Sequence, residues 1–179
     1  MGSIYNIASW DDSGTATYPK NSIVKTSDGK FWYALQDLDA NTSTEIPAVG
    51  SAYWNGYTNV TVGGTATAES YFFWTPSYNI QVSHTPRVKS IQFGDGYEQR
   101  IKDGINNDLL NIQLSFENRT QAEATAILHF LHSREGFGAF YFKVPAPYSM
   151  IKRFVCKEFN SNFIFDDNYS IQCKLGEVS

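Results

Sequence analysis

Residues 110–131 change periodicity once, and that change limits the folds open to the chain. Leu110, Ile112, Leu114 and Phe116 alternate with Asn111, Gln113 and Ser115, which predicts a strand with one buried and one polar face. Thr120-Gln121-Ala122-Glu123 then forms a capping box: the Thr120 hydroxyl takes an N–H near the third helical residue and Glu123 reaches back. Ala124, Ile127, Leu128 and Leu131 follow at helical spacing, and Gly136 supplies the stop. A single helix among strands must lay its apolar stripe on a sheet. The expected class is therefore mainly β, a β-rich α+β fold with one packed helix.

The flanking segments read as strands and turns. Downstream lie Ala139–Val144, a Pro145-Ala146-Pro147 breaker, Ile151–Cys156 and Phe163–Phe165. Asp166-Asp167-Asn168 turns the chain into Tyr169–Leu175, where Tyr169, Ile171, Cys173 and Leu175 alternate with polar residues. Upstream, Ser27-Asp28-Gly29-Lys30 is a hairpin signal between Ile23-Val24-Lys25 and Phe31-Trp32-Tyr33-Ala34-Leu35. Residues 62–70 are small and lack periodicity, so they divide a small all-β unit (1–61) from a larger one (71–179) as a linker.

Between Arg87–Phe93 and the 110–116 strand runs Phe93-Gly94-Asp95-Gly96-Tyr97-Glu98-Gln99-Arg100, then Ile101-Lys102-Asp103-Gly104-Ile105-Asn106-Asn107-Asp108. The glycines and Asp-Gly pairs predict a long, structured excursion between two strands. A phosphate cradle would need a helix to open after the glycines, and residues 101–116 carry no helical period.

Composition removes several function classes. The net charge is −4, all of it in residues 1–70, where three lysines face seven acids; the remainder is neutral. That is not the basic footprint of a protein that grips nucleic acid. Cys156 and Cys173 are too few for a disulfide framework, a cysteine zinc site or an iron–sulfur cluster, and read as reduced, buried thiols on neighbouring strands. The first residues have no basic region ahead of an apolar core, predicting no signal peptide. No apolar run predicts insertion into a membrane.

Catalytic patterns are equally weak. His129 and His132 stand three apart on the helix without a His-Glu-x-x-His pattern and read as exposed polar positions. Asp95, Asp103 and Asp108 read as turn residues rather than an acid pair. No catalytic residue, metal ligand or cofactor is expected.

The run FGDGYEQR…DGIN…D, with Phe72-Phe73-Trp74-Thr75-Pro76-Ser77-Tyr78 upstream and Gly138–Phe142, Pro145 and Phe154-Val155-Cys156 downstream, resembles the minor tail protein M family of lambda-like tailed phages. The resemblance runs from about Tyr71 to the C-terminus. It implies a tail-tube-like β-barrel or sandwich domain and a structural virion protein at the distal end of a long non-contractile tail, assembled in the host cytoplasm. Such a protein would form a ring of six copies that joins tail tube to tip complex, with the tube protein and other tip proteins as partners. DNA would pass its channel without specific binding. Phe93, Asp95, Tyr97, Glu98, Gln99 and Arg100 would then meet neighbouring subunits, and Arg100 would pair with Asp103 or with an acid across the interface.

The order Tyr18…Ile23-Val24…Gly29–Ala34…Pro47…Trp54 is similar to carbohydrate-binding modules of families 5 and 12. That resemblance implies aromatic stacking on a cell-surface glycan, with Trp10, Trp32, Tyr33 and Trp54 as candidate contacts. Each of these rings also suits the core of a small sheet. The alternative function is thus a carbohydrate-binding protein.

Overall fold

The structure, a computed structural model, describes residues 5–11, 13–39, 45–57, 60–62, 65–67, 70–77, 79–94 and 96–178. The N-terminal unit is a four-stranded sheet of β1 (Ala8–Ser9), β2 (Ile23–Lys25), β3 (Phe31–Ala34) and β4 (Trp54–Gly56), in that order. Gly29, at φ 83°, makes the turn between β2 and β3 in a conformation that disfavours a side chain. Next comes a short hairpin, β5 (Val60–Val62) with β6 (Thr65–Thr67), in place of the expected irregular linker.

The main sheet has six strands in the order β7 (Tyr71–Phe72), β12 (Phe140–Lys143), β13 (Ile151–Phe165), β14 (Asn168–Glu177), β11 (Leu110–Arg119) and β8 (Gln81–His84). The remaining pair, β9 (Val88–Gln92) and β10 (Glu98–Lys102), forms a separate two-stranded ribbon. The sheet is open and forms no barrel within the protomer; β7 and β8 lie at its borders.

Helix α1 (Gln121–Ser133) covers one face of this sheet. The alternation in β11 is realised as read: Leu110, Ile112, Leu114 and Phe116 are at most 4% exposed, while Asn111 and Gln113 face solvent. Phe72, Phe140, Phe142, Phe154, Ile171, Cys173 and Leu175 complete that face, and Ile127, Phe130 and Leu131 press on it from the helix. Burying a side chain of this size yields about 1.5–3 kcal/mol, so this layer is the main source of stability. Cys156 and Cys173 are both free and buried here.

Half of the capping box forms. Thr120 Oγ1 accepts from the Glu123 N–H, but Glu123 turns to Arg119 Nη1 at 2.9 Å instead of reaching back. Arg119 also donates to the Thr75 carbonyl at 2.9 Å, so the pair ties the helix start to the segment after β7.

The second face of the helix is clamped by the N-terminal unit. His129 is buried rather than exposed, because Tyr5, Phe31 and Tyr57 pack their rings around it. Tyr57 OH lies 3.4 Å from His129 Nδ1, and Tyr57 meets Phe130 edge-on at 5.1 Å. Burial, with His132 and Arg134 adding positive charge nearby, pushes His129 down to about 4. His132, one turn on, remains exposed.

Candidate assembly interface

The glycine-rich excursion folds as the β9–β10 ribbon. Phe93 N–H donates to the Tyr97 carbonyl at 2.8 Å and Gly96, at φ 77°, donates back to Phe93, closing the turn. Asp95 lies outside the described residues. At the root, Arg87 N–H donates to the Asn107 carbonyl and Asp103 N–H to the Arg87 carbonyl, so the ribbon leaves the sheet from a hydrogen-bonded base.

Every residue in both ribbon strands is exposed, and their alternation gathers most of the apolar side chains on one face, which also carries Lys89 and Gln99. Cross-strand partners Ile91↔Gln99 and Lys89↔Ile101, continued by Phe93 and Tyr97, put Ile91, Phe93, Tyr97 and Ile101 on one face. Ser90, Gln92, Glu98, Arg100 and Lys102 occupy the other, with Val88 opposite Lys102. The intrachain partner of Arg100 is Glu98, at 3.1 Å, not Asp103. A hydrogen bond from Ser90 and the Arg100 guanidinium hold the Glu98 carboxyl below its usual range. Of the predicted contacts, Phe93, Tyr97 and Gln99 thus share the apolar face, and Glu98 and Arg100 the polar one.

A further exposed apolar feature sits at the turn end of the β13–β14 hairpin. Phe163, Ile164 and Phe165 are 63%, 52% and 61% exposed there. Strand β12 pairs with β13 only from Ile151 to Phe154, so the outer border of residues 157–165 has no strand beside it among the described residues. Residues 157–162 are polar apart from the half-buried Phe159, and the sequence pattern there gave no sign of a continuous strand.

A side-chain chain that sequence reading missed lies at the other end of the sheet. His84 Nδ1 is 2.9 Å from Asp108 Oδ2, and His84 Nε2 is 2.8 Å from Tyr148 OH. These residues are distant in sequence and share no motif spacing. They pin the β12–β13 connection to border strand β8. Glu177 adds to this by accepting from Leu110 N–H at 2.9 Å and pairing with Lys152. No group of three metal-binding side chains occurs among the described residues.

The candidate glycan rings are placed otherwise than their role requires. Trp32, Tyr33 and Trp54 are 6%, 7% and 1% exposed, so their faces pack inward and cannot stack on a sugar. Trp54 Nε1 donates to the Glu45 carbonyl, Tyr33 packs on Phe73, and Trp10 is half-buried against the same small core. A small sheet uses its large rings as core, and that need took precedence here.

The chain matches the profile of the phage minor tail protein family over residues 70–179. It is 31% identical over 81 residues to tail tip protein M of Escherichia phage lambda, a stretch that spans 45% of this chain and 73% of that protein. Among solved structures, a chain from the tail of an empty GTA particle with C6 symmetry is similar at a TM-score of 0.41 and 9% identity, covering 75% of this chain and 88% of that one. With the whole of the larger unit inside the profile, the chain belongs to the phage minor tail protein family and is a structural protein of the virion tail.

Proposed function

We propose that this protein acts at the tail tip as a ring of six copies joining the tail tube to the tip complex, with no catalytic step. The copy number and the junction come from the family resemblance. The observation that carries the ring is the set of uncovered strand borders in a lone molecule. The outer edge of border strand β8, the edge of residues 157–165 of β13 away from β14, and both outer edges of the ribbon have no strand beside them among the described residues.

Such borders template pairing with other chains, and a soluble protein ordinarily blunts or covers them. Closure of a ring satisfies each border with a neighbour and leaves none free. The ribbon residues Phe93, Tyr97, Glu98, Gln99 and Arg100, with Asp95 between them in sequence, serve as contacts in this reading. The neutral charge of residues 71–179 suits a channel that DNA traverses without being held.

Electron cryomicroscopy of tails carrying this chain tests the reading. The expected density is a closed ring of this protein between tube and tip, with its strand borders joined to neighbours. A tip in which the chain is absent, or present with those borders facing solvent, rejects it.

A further inference from the structure

The two exposed apolar features lie at opposite ends of one sheet. The ribbon springs from the end where His84 pairs with Leu110. The β13–β14 turn lies where Arg119 pairs with Tyr169 and Gln121 meets Asp167. Strand β11 separates the two ends with 10 residues, a span of about 30 Å at the usual rise per strand residue. In the protomer each feature faces solvent.

Resting on the ring reading above, we propose that the apolar face of one copy's ribbon docks on the β13–β14 turn end of the next copy. Ile91, Phe93, Tyr97 and Ile101 form one half of the contact; Phe163, Ile164 and Phe165 form the other. Two different patches on the same chain make a head-to-tail contact, the type that generates a ring when its rotation closes. The free border of residues 157–165 runs beside the second patch and offers main-chain pairing to an incoming strand.

Charge points to the same partner. The docking face of the ribbon carries one cation, Lys89, which has no ion-pair partner among the described residues. The turn end carries Asp166 and Asp167 directly after its aromatic patch. Lys89 set against Asp166 and Asp167 favours this direction of docking, and two Lys89 side chains brought together disfavour ribbon-to-ribbon pairing through the same face. Because both halves are present on every copy, a closed ring of identical chains covers all of them.

The test uses cysteine variants in assembled tails, treated with a short thiol crosslinker and run on denaturing gels. Tyr97→Cys and Phe163→Cys in one chain should give a ladder ending in a closed species. Co-assembled single variants should give dimers, and either variant alone should give none. The native thiols are buried and stay silent in the unmodified control. In addition, Lys89→Glu should lower the yield of crosslinked ring roughly tenfold, and Asp166→Lys in the same chain should restore it.

Dimers from Tyr97→Cys alone would replace the proposal with a symmetric ribbon contact. A ring visible in the same tails without crosslinks from the double variant overturns this pairing and leaves the ring reading standing. Tails that hold the chain without a ring overturn both.

Discussion

Asp167 Oδ1 accepts a hydrogen bond from the Gln121 backbone N–H at 2.7 Å, so the turn of the long hairpin caps the start of α1. Thr120 serves one other free donor of that first turn, and Asp167 adds negative charge at the positive end of the helix. Asp167 sits at φ 53°, which Asp and Asn tolerate better than most residues. Asp167→Ala should therefore lower unfolding stability by about 1–2 kcal/mol, from the lost cap and the strained alanine. Asp167→Asn should lose less than half of that. Urea denaturation decides it: equal stability for Ala, Asn and the native residue would mean the cap contributes nothing.

The Arg119–Glu123 pair is mostly withdrawn from solvent, with side chains 21% and 11% exposed. Removing the cation leaves a carboxylate against the apolar layer, and it also frees the Thr75 carbonyl. Arg119→Met should cost about 2–3 kcal/mol, less than a fully buried pair because some water reaches it. Adding Glu123→Gln should recover at least about 1 kcal/mol of that loss. A double-mutant cycle with no coupling would show that the two side chains act independently.

His129 gives stability a pH dependence whose sign is fixed by its surroundings. Its folded value is about 4, below the ordinary 6.5, so the fold disfavours the charged ring. The contribution is fully present above pH 6.5, declines as pH falls, and is gone below about 4. The loss is at most about 3 kcal/mol across that window. His129→Leu should flatten this part of the profile while exposed carboxylates still titrate in both proteins. Urea midpoints measured from pH 4 to 8 that fall in parallel for both proteins would remove His129 as the cause.

Much of the larger unit was legible because single residues there answer to one environment. Leu110 to Phe116 alternate since one sheet face is dry, and Ile127 and Leu131 repeat at helical spacing since that face meets the sheet. The length of β13 was not legible: Lys157, Glu158, Asn160, Ser161 and Asn162 are exposed and only Phe159 between them packs on the core, so no alternation marks the strand. His129 was misread for a different reason. Its burial comes from Tyr5, Phe31 and Tyr57, which are far away in sequence and supply no local periodicity. The ribbon turn was visible in its glycines, but the return strand Glu98–Lys102 has mostly polar residues and gave no strand signal of its own.

The boundary near residue 61, natural from composition, does not coincide with a boundary of packing. Ile23 and Tyr57 belong to the same buried cluster as the main sheet and helix, and Tyr71 N–H donates to the Tyr57 carbonyl. Tyr57 is 7% exposed, and burial raises its hydroxyl well above the ordinary tyrosine value. Tyr57→Ala should cost about 3–4 kcal/mol, as for other large aromatic truncations in a core. The loss should appear in both units, with one cooperative thermal transition before and after the substitution. Residues 1–60 expressed alone should lack a cooperative transition, because Phe31, Ile23 and Tyr57 lose the surface they pack against. Calorimetry that resolves two transitions in the native chain, with Tyr57→Ala shifting only the one assigned to the N-terminal sheet, would establish two independent domains instead.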